Sequence, residues 1–316
     1  MFYGVTRARA WHRFGGMLLF FIRFFPQRLL SRGWGWLARR ELPPVLQARI
    51  NRGFARFFAV DLSEAERRPE EYCSLSAFFV RRLRKGVRDW PSDHRVLASP
   101  ADGVLGCVGP LAQGVALQAK GISYNVSELL GNAREASGFR SGLFLTIYLS
   151  PRHYHRVHTP CAARLHTARV VPGRLLPVNP AAVRLLPGLF PGNERLVTLM
   201  EANGVDLAVV AVGAYNVGCI SADFDPNWDS GALPGVTNRG QSLDSLARFY
   251  DPPLALESGD ALMAFHLGST VILLVSPRDG SLLTLHPALR EGSEVRLGNP
   301  LLASLKSGGV RGPGAC

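Results

Sequence analysis

The spacing of apolar residues changes near residue 95. Before it, apolar positions recur every three or four residues with arginine between them, as on a helix face. After it, short apolar runs are divided by Gly and Pro. The first pattern predicts an amphipathic helix over residues 45–59 (VLQARINRGFARFFA). It predicts another over Ser74–Leu83, with Ser74 or Ser76 at its cap and a turn at Asp61–Glu64 before it. The second pattern predicts strands at Gly103–Val108, Leu143–Leu149, Ala168–Val171, Leu196–Met200, Leu207–Val212, Ala261–His266 and Thr270–Val275, with a helix at Val126–Leu130. The fold class expected is α+β: N-terminal amphipathic helices followed by a β-rich catalytic body.

Composition supports that division. Gly 33 and Pro 22 in 316 residues suit a turn-rich β body, and 47% hydrophobic residues are enough for one sizeable core. The net charge of +12 is unevenly placed, because residues 1–90 hold 18 of the 36 Lys/Arg but only 7 of the 24 Asp/Glu. Among these charges lie Trp11, Phe14, Met17–Ile22, Trp34 and Trp36. Arginine mixed with Trp, Phe and Leu is the composition of helices lying in a membrane interface. The alternative is a basic amphipathic helix packed on the protein's own core. Met17–Ile22 is far shorter than the roughly 20 residues of a span, and no small-residue cleavage site follows it. Nucleic acid is not expected as a partner, since no binding motif accompanies the charge. The five cysteines are scattered without a C-x-x-C pair, which argues against a disulfide framework or a zinc–thiolate site. No G-x-G-x-x-G or P-loop marks a nucleotide site.

Three segments carry candidate chemistry. Ala98–Gly103 contains Asp102 before a glycine, a pair that usually makes only a turn. Tyr148–Pro160 places His153, His155 and His158 within six residues. Such a cluster can ligate zinc, act in acid–base chemistry, or cap loop backbone. Phe265–Val271 contains Gly268-Ser269-Thr270. A glycine carbonyl can be approached closely, and a serine one residue on supplies a hydroxyl that needs a base. An Asp that orients a His provides one.

Together, in this order, the segments resemble the phosphatidylserine decarboxylase family. The likeness is carried by Ala101-Asp102-Gly103, Tyr148–His158 (YLSPRHYHRVH), Asn193-Glu194-Arg195, Val212-Gly213-Ala214 and Leu267–Thr270 (LGST). Phe78–Arg84 adds to it, and the likeness runs from about residue 50 to the C-terminus. It implies a proenzyme in which Asp102, His158 and Ser269 form a self-processing triad. Ser269 would attack the Gly268 carbonyl, and the ester would eliminate, leaving chains 1–268 and 269–316 with a pyruvoyl group derived from Ser269. The resemblance implies decarboxylation of phosphatidylserine to phosphatidylethanolamine through a Schiff base with that group, with His155 serving the decarboxylation step and no metal. His153 stands where relatives often carry an acidic residue and has no assigned role.

The resemblance also implies a peripheral enzyme on the cytoplasmic face of the cell membrane, acting on an anionic bilayer surface. Residues 1–90 would be its basic membrane-associating region and residues 91–316 its catalytic domain. The two self-cleavage chains would stay together, and processed protomers would form a homodimer. Two other readings compete. A zinc hydrolase using His153, His155 and Asp102 would keep an intact chain, and a membrane-surface protein without chemistry would bind lipid uncut. Asp225–Leu256 departs from the family pattern, and the Gly-rich tail Ser307–Cys316 reads as disordered.

Overall fold

A computed structural model describes residues 27–305, except 94, 120, 203, 215–218, 230–235, 238–245 and 267–268. The readings made for Met17–Ile22 and for Ser307–Cys316 lie outside the described residues. Three helices come first: α1 (Gln27–Arg39), α2 (Pro44–Phe58) and α3 (Leu75–Phe79). Next are β1 (Val96–Ala98), β2 (Gly103–Pro110), β3 (Val115–Ala119), β4 (Ile122–Asn125), α4 (Val126–Leu130), α5 (Ala133–Ala136), β5 (Leu143–Leu149), β6 (Arg156–His158) and β7 (Ala163–Val171). Then come α6 (Pro180–Leu185), α7 (Leu189–Gly192), β8 (Arg195–Ala202), β9 (Val205–Gly213), β10 (Ile220–Ala222), β11 (Leu246–Leu256) and β12 (Ala261–Phe265). The last four strands are β13 (Ser269–Pro277), β14 (Leu282–Leu285), β15 (Glu294–Val295) and β16 (Pro300–Leu305). Helices before a β-rich body make the fold α+β.

The body is built on an eight-stranded sheet ordered β11-β7-β8-β9-β13-β5-β2-β15, and every adjacent pair in it is antiparallel. β13 is its central strand. Its residues from Ser269 to Ser276 are all buried, as a near-continuous apolar run predicts for a strand covered on both faces. β9 and β5 pair with it along most of its length. Smaller sheets join β10, β12 and β6, and β1, β16 and β14.

The register collects several strand ends in one place. Ser269, the first residue of β13, lies opposite Leu149 at the end of β5 and Gly213 at the end of β9. β2 starts beside them, with Val104 opposite Tyr148. Asp102 therefore precedes the strand whose start borders this end of the sheet. Gly103 follows it for a steric reason: a Cβ there would lie 2.5 Å from the Ile147 side chain and 2.6 Å from the Tyr148 carbonyl oxygen. The Asp-Gly pair that reads as a turn is a bend entering β2, with Gly103 set close against β5.

The helical region has its own small cores. Phe78 packs with Ala55, Val60 and Tyr72, and Phe79 with Ala38. Phe54 meets both phenylalanines edge-on. The helix expected over Ser74–Leu83 is shorter. Ser74 caps it by accepting from the Ala77 amide at 3.1 Å, but it stops at Phe79. Beyond Val80 the chain pairs with residues 64–66 instead, through Glu66 N to Arg82 O and Arg84 N to Glu64 O. Nonlocal pairing overrides local helix preference there. β11 went unforeseen because it contains Pro252 and Pro253. It is an edge strand with a register break between Phe249 and Leu254, the setting in which a sheet tolerates proline.

Candidate active site

Ser269 is 1% exposed, and its Oγ has no hydrogen-bond partner among the described residues. An orphaned buried hydroxyl costs stability, and the neighbouring Thr270 Oγ1 is left in the same condition. A side chain held this way, at the first residue of a strand paired on both sides, fits a residue converted into a buried prosthetic carbonyl.

His155 comes from the turn between β5 and β6. It is fully buried, its ring centroid is 4.0 Å from that of Phe79, and its backbone carbonyl accepts from the Phe265 amide at the end of β12. Its Nδ1 donates to the His153 carbonyl at 2.9 Å. Nε2 is then the lone-pair nitrogen, and it is buried without a partner. Burial, with the Arg81 guanidinium nearby, holds the imidazole well below its usual range and neutral.

His158 is on β6. Its Nδ1 donates to the Gly259 carbonyl at 2.7 Å, so Nε2 is the basic nitrogen, and Tyr154 Oη sits on it at 3.1 Å. Burial lowers the imidazole's pKa, while the Gly259 bond opposes that shift. The Tyr154 hydroxyl is pushed up by burial and stays protonated. Asp102 lies in the neighbouring segment, since the His158 amide donates to the Pro100 carbonyl. Its carboxylate does not bond the His158 ring. It accepts from Arg88 Nη2 at 2.8 Å and from the Leu297 amide at 2.7 Å. Burial raises its pKa, and Arg88 works against that rise. The structure thus brings the Asp102 and His158 backbones together, places Ser269 at the same end of the sheet, and leaves the three side chains without mutual hydrogen bonds.

His153 serves the loop. Its Nδ1 accepts from the Ser150 amide at 2.9 Å, its Nε2 is 3.8 Å from a Glu294 oxygen, and burial pushes its pKa down to about 4. Among the described residues no three His, Cys, Asp or Glu side chains converge as a metal site.

The Asn193-Glu194-Arg195 segment contributes architecture. Asn193 Nδ2 donates to the Gly213 and Leu176 carbonyls, each at 2.9 Å. It thereby fixes the end of β9 that faces Ser269. Arg195 is 2% exposed and donates to the carbonyls of Glu128, Leu129, Pro191 and Asn193. These include the C-terminal carbonyls of α4, which lack partners within their helix. Arg195→Met will lower the unfolding free energy by about 3 kcal/mol, read as a shifted urea midpoint, because buried acceptors lose their donor. A shift below about 1 kcal/mol would mean that other donors replace the guanidinium.

Sequence reasoning overlooked Tyr154, Arg88 and Arg81. Tyr154 lies inside the histidine cluster and could have been weighed with it. The two arginines were hidden among the other basic residues of the N-terminal quarter.

A family model described as phosphatidylserine decarboxylase matches residues 75–303. The chain is 42% identical over 280 residues to the phosphatidylserine decarboxylase proenzyme of Anaeromyxobacter sp. (strain K), covering 89% of this chain and 95% of that protein. It is 40% identical over 278 residues to the protein so named in Myxococcus xanthus (strain DK1622), covering 88% and 94%. The corresponding protein of Halorhodospira halophila (strain DSM 244 / SL1) is 43% identical over 279 residues, covering 87% and 90%.

Proposed function

The chain belongs to the phosphatidylserine decarboxylase family, and on that premise we propose that it cuts itself at Gly268–Ser269 and uses the new end to decarboxylate its substrate. It is a carboxy-lyase made as a proenzyme, and it converts phosphatidylserine to phosphatidylethanolamine. The observation that carries the self-cutting reading is the buried, unbonded Ser269 hydroxyl at the start of β13.

In the first reaction His158 Nε2 takes the Ser269 Oγ proton as Oγ attacks the Gly268 carbonyl carbon. The amide C–N bond breaks, an ester forms, and the proton passes to the freed Ser269 nitrogen. Tyr154 Oη sits on Nε2 in the uncut chain, so the base nitrogen gives up that bond or takes the proton through it. The Gly259 carbonyl keeps the tautomer, and Asp102 contributes negative charge near Tyr154. Loss of the Ser269 Cα proton with cleavage of Cβ–Oγ then releases the Gly268 carboxylate and leaves dehydroalanine at 269. A proton moves from its nitrogen to the methylene carbon to give an imine, which water hydrolyses to ammonia and a pyruvoyl group. The 268-residue and 48-residue products stay together because β13 lies between β9 and β5.

In the second reaction the pyruvoyl group supplies an electron sink for the pair released when carbon dioxide leaves. His155 presents Nε2, the ring nitrogen not bonded to the His153 carbonyl, to the former α-carbon. Its neutral imidazole gains a proton when the anionic substrate arrives beside it, since a nearby negative charge favours the charged form. We assign His155 to that proton delivery.

We read residues 1–90 as the membrane-facing region and the enzyme as peripheral on the cytoplasmic face. Trp34, Trp36, Leu37, Leu46 and Phe57 of α1 and α2 are exposed, with the Arg40 guanidinium 4.0 Å over the Trp36 ring. No described helix is long and apolar enough to cross a membrane. Aromatic residues beside arginine suit an anionic interface. Processed protomers are read as pairing into a homodimer.

One experiment tests the reading. The purified chain is incubated with phosphatidylserine vesicles, sedimented, and analysed by intact mass and lipid chromatography. It will pellet with the vesicles as two chains split before residue 269, the smaller blocked by pyruvoyl, and phosphatidylethanolamine will accumulate. A chain that stays whole sinks the self-cutting, and one left in the supernatant sinks the membrane assignment. A single protomer mass in sedimentation velocity would remove the dimer.

A further inference from the structure

Arg81 lies just beyond α3 and is 3% exposed. Its Nη2 makes long bonds to the carbonyls of His153, at 3.3 Å, and Arg152, at 3.5 Å. Its Nε and Nη1 are closed to solvent and have no hydrogen-bond partner among the described residues. No described carboxylate pairs with it. The Phe78 ring, 5.7 Å from Cζ, offers only a weak attraction at that distance, which does not offset the cost of burying a half-bonded guanidinium. A cation retained under those conditions marks a place for an anion.

Its neighbours indicate which anion. Arg81 Nη2 and His155 Nδ1 donate to the same His153 carbonyl, so the guanidinium and the imidazole hang from one oxygen. His155 Nε2 and Ser269 Oγ share Arg81's condition, buried and unbonded. Arg81 and His155 are thus held at one place, and His155 already has a proposed duty toward the substrate's former α-carbon. In a serine phospholipid the phosphodiester is separated from the α-carbon by only a methylene and an oxygen. A group that holds the phosphodiester must therefore sit close to the one that delivers a proton to that carbon.

We propose that Arg81 binds the phosphodiester of the substrate headgroup, an assignment that rests on the lipid-decarboxylase reading above. The substrate has a second anion, its carboxylate, but that group loses its charge as carbon dioxide leaves. A guanidinium on it would stabilise the ground state more than the transition state and slow the reaction. The phosphodiester keeps its charge throughout, so holding it costs nothing at the transition state. Arginine's planar fork also matches two phosphate oxygens, which a lysine ammonium does not.

Arg81→Gln and Arg81→Lys test this in the full chain, with self-cutting verified by intact mass before assay. With soluble dihexanoylphosphatidylserine, Arg81→Gln will raise KM by about 10- to 150-fold, the range of a lost charge-assisted bond, and leave kcat nearly unchanged. Arg81→Lys will recover part of the loss. Inhibition by dihexanoylphosphatidylethanolamine, which has the phosphodiester and no carboxylate, will weaken by the same factor. A raised KM with unchanged inhibition assigns Arg81 to the carboxylate and overturns the proposal. So does a fall in kcat at constant KM, the signature of a guanidinium that only steadies His155.

A binding measurement covers variants that fold without cutting. Ser269→Ala and Ser269→Ala/Arg81→Gln are compared for thermal stabilisation by dihexanoylphosphatidylethanolamine. Loss of stabilisation in the double variant supports the proposal, and equal stabilisation overturns it. Should Arg81→Gln not fold, Arg81→Lys decides alone: KM and the inhibition constant rise together, or the proposal falls. Failure of the wild type to convert phosphatidylserine would instead count against the decarboxylase reading.

Discussion

Ser269→Ala will remain one chain of 34.4 kDa and will convert no phosphatidylserine. The prediction separates chemistry from folding unusually well. Ser269 Oγ has no hydrogen-bond partner among the described residues, so removing it breaks no bond to any of them and lifts the penalty of a buried hydroxyl that they leave unpaired. The variant should be at least as stable as the wild type toward urea. Any loss of cutting is then loss of the nucleophile. Without the cut no electron sink exists, and activity falls to background rather than by a fraction. Intact mass, a urea curve and a lipid assay on one preparation decide the matter. An uncut variant that still makes phosphatidylethanolamine would end the pyruvoyl mechanism and reopen the hydrolytic reading of the histidine cluster.

His155→Ala will cut itself and then decarboxylate about 10²- to 10⁴-fold more slowly, the usual contribution of a positioned acid–base group. The two reactions come apart because His155 and His158 are held differently. His158 is oriented by the Gly259 carbonyl and faces Tyr154, whereas His155 is tied to the His153 carbonyl and packed on Phe79. The substitution also removes a fully buried ring and leaves a cavity beside Phe79, costing some stability. His155→Gln controls for that, since it fills most of the space and retains a donor for the His153 carbonyl. Both variants should show the same two masses as the wild type and the same slow turnover. If neither is cut, His155 belongs to the processing machinery.

Much of the fold was legible because it rests on local periodicity. The central strands came from uninterrupted apolar runs such as Val271–Val275, which can be buried only as sheet or core. Most strand ends lie within two residues of those predicted and the Leu143–Leu149 strand coincides with its prediction, but the strand expected at Ala168–Val171 begins earlier, at Ala163. The candidate residues were legible for another reason: three histidines in six residues stand out from background, and Gly-Ser-Thr, a weak signal alone, gains weight only when joined to that cluster and to Asp102-Gly103 in the family resemblance. What misled was the reading of segments by local preference where distant partners decide. The helix after Ser74 ends early because residues 82–84 pair with residues 64–66, and β11 keeps its prolines because it lies at a sheet edge.

The sequence by itself determined which elements form and which residue types are available for chemistry, since side-chain spacing and backbone permissiveness are written residue by residue. Only the tertiary structure decided what those residues meet. It set the strand ends at Leu149, Gly213 and Ser269 side by side, gave the Asp102 carboxylate to Arg88 and the Leu297 amide, and left Arg81 buried beside His155 with nitrogens unbonded. Which polar groups these side chains meet depends on contacts between residues far apart in the chain, and no local pattern encodes them.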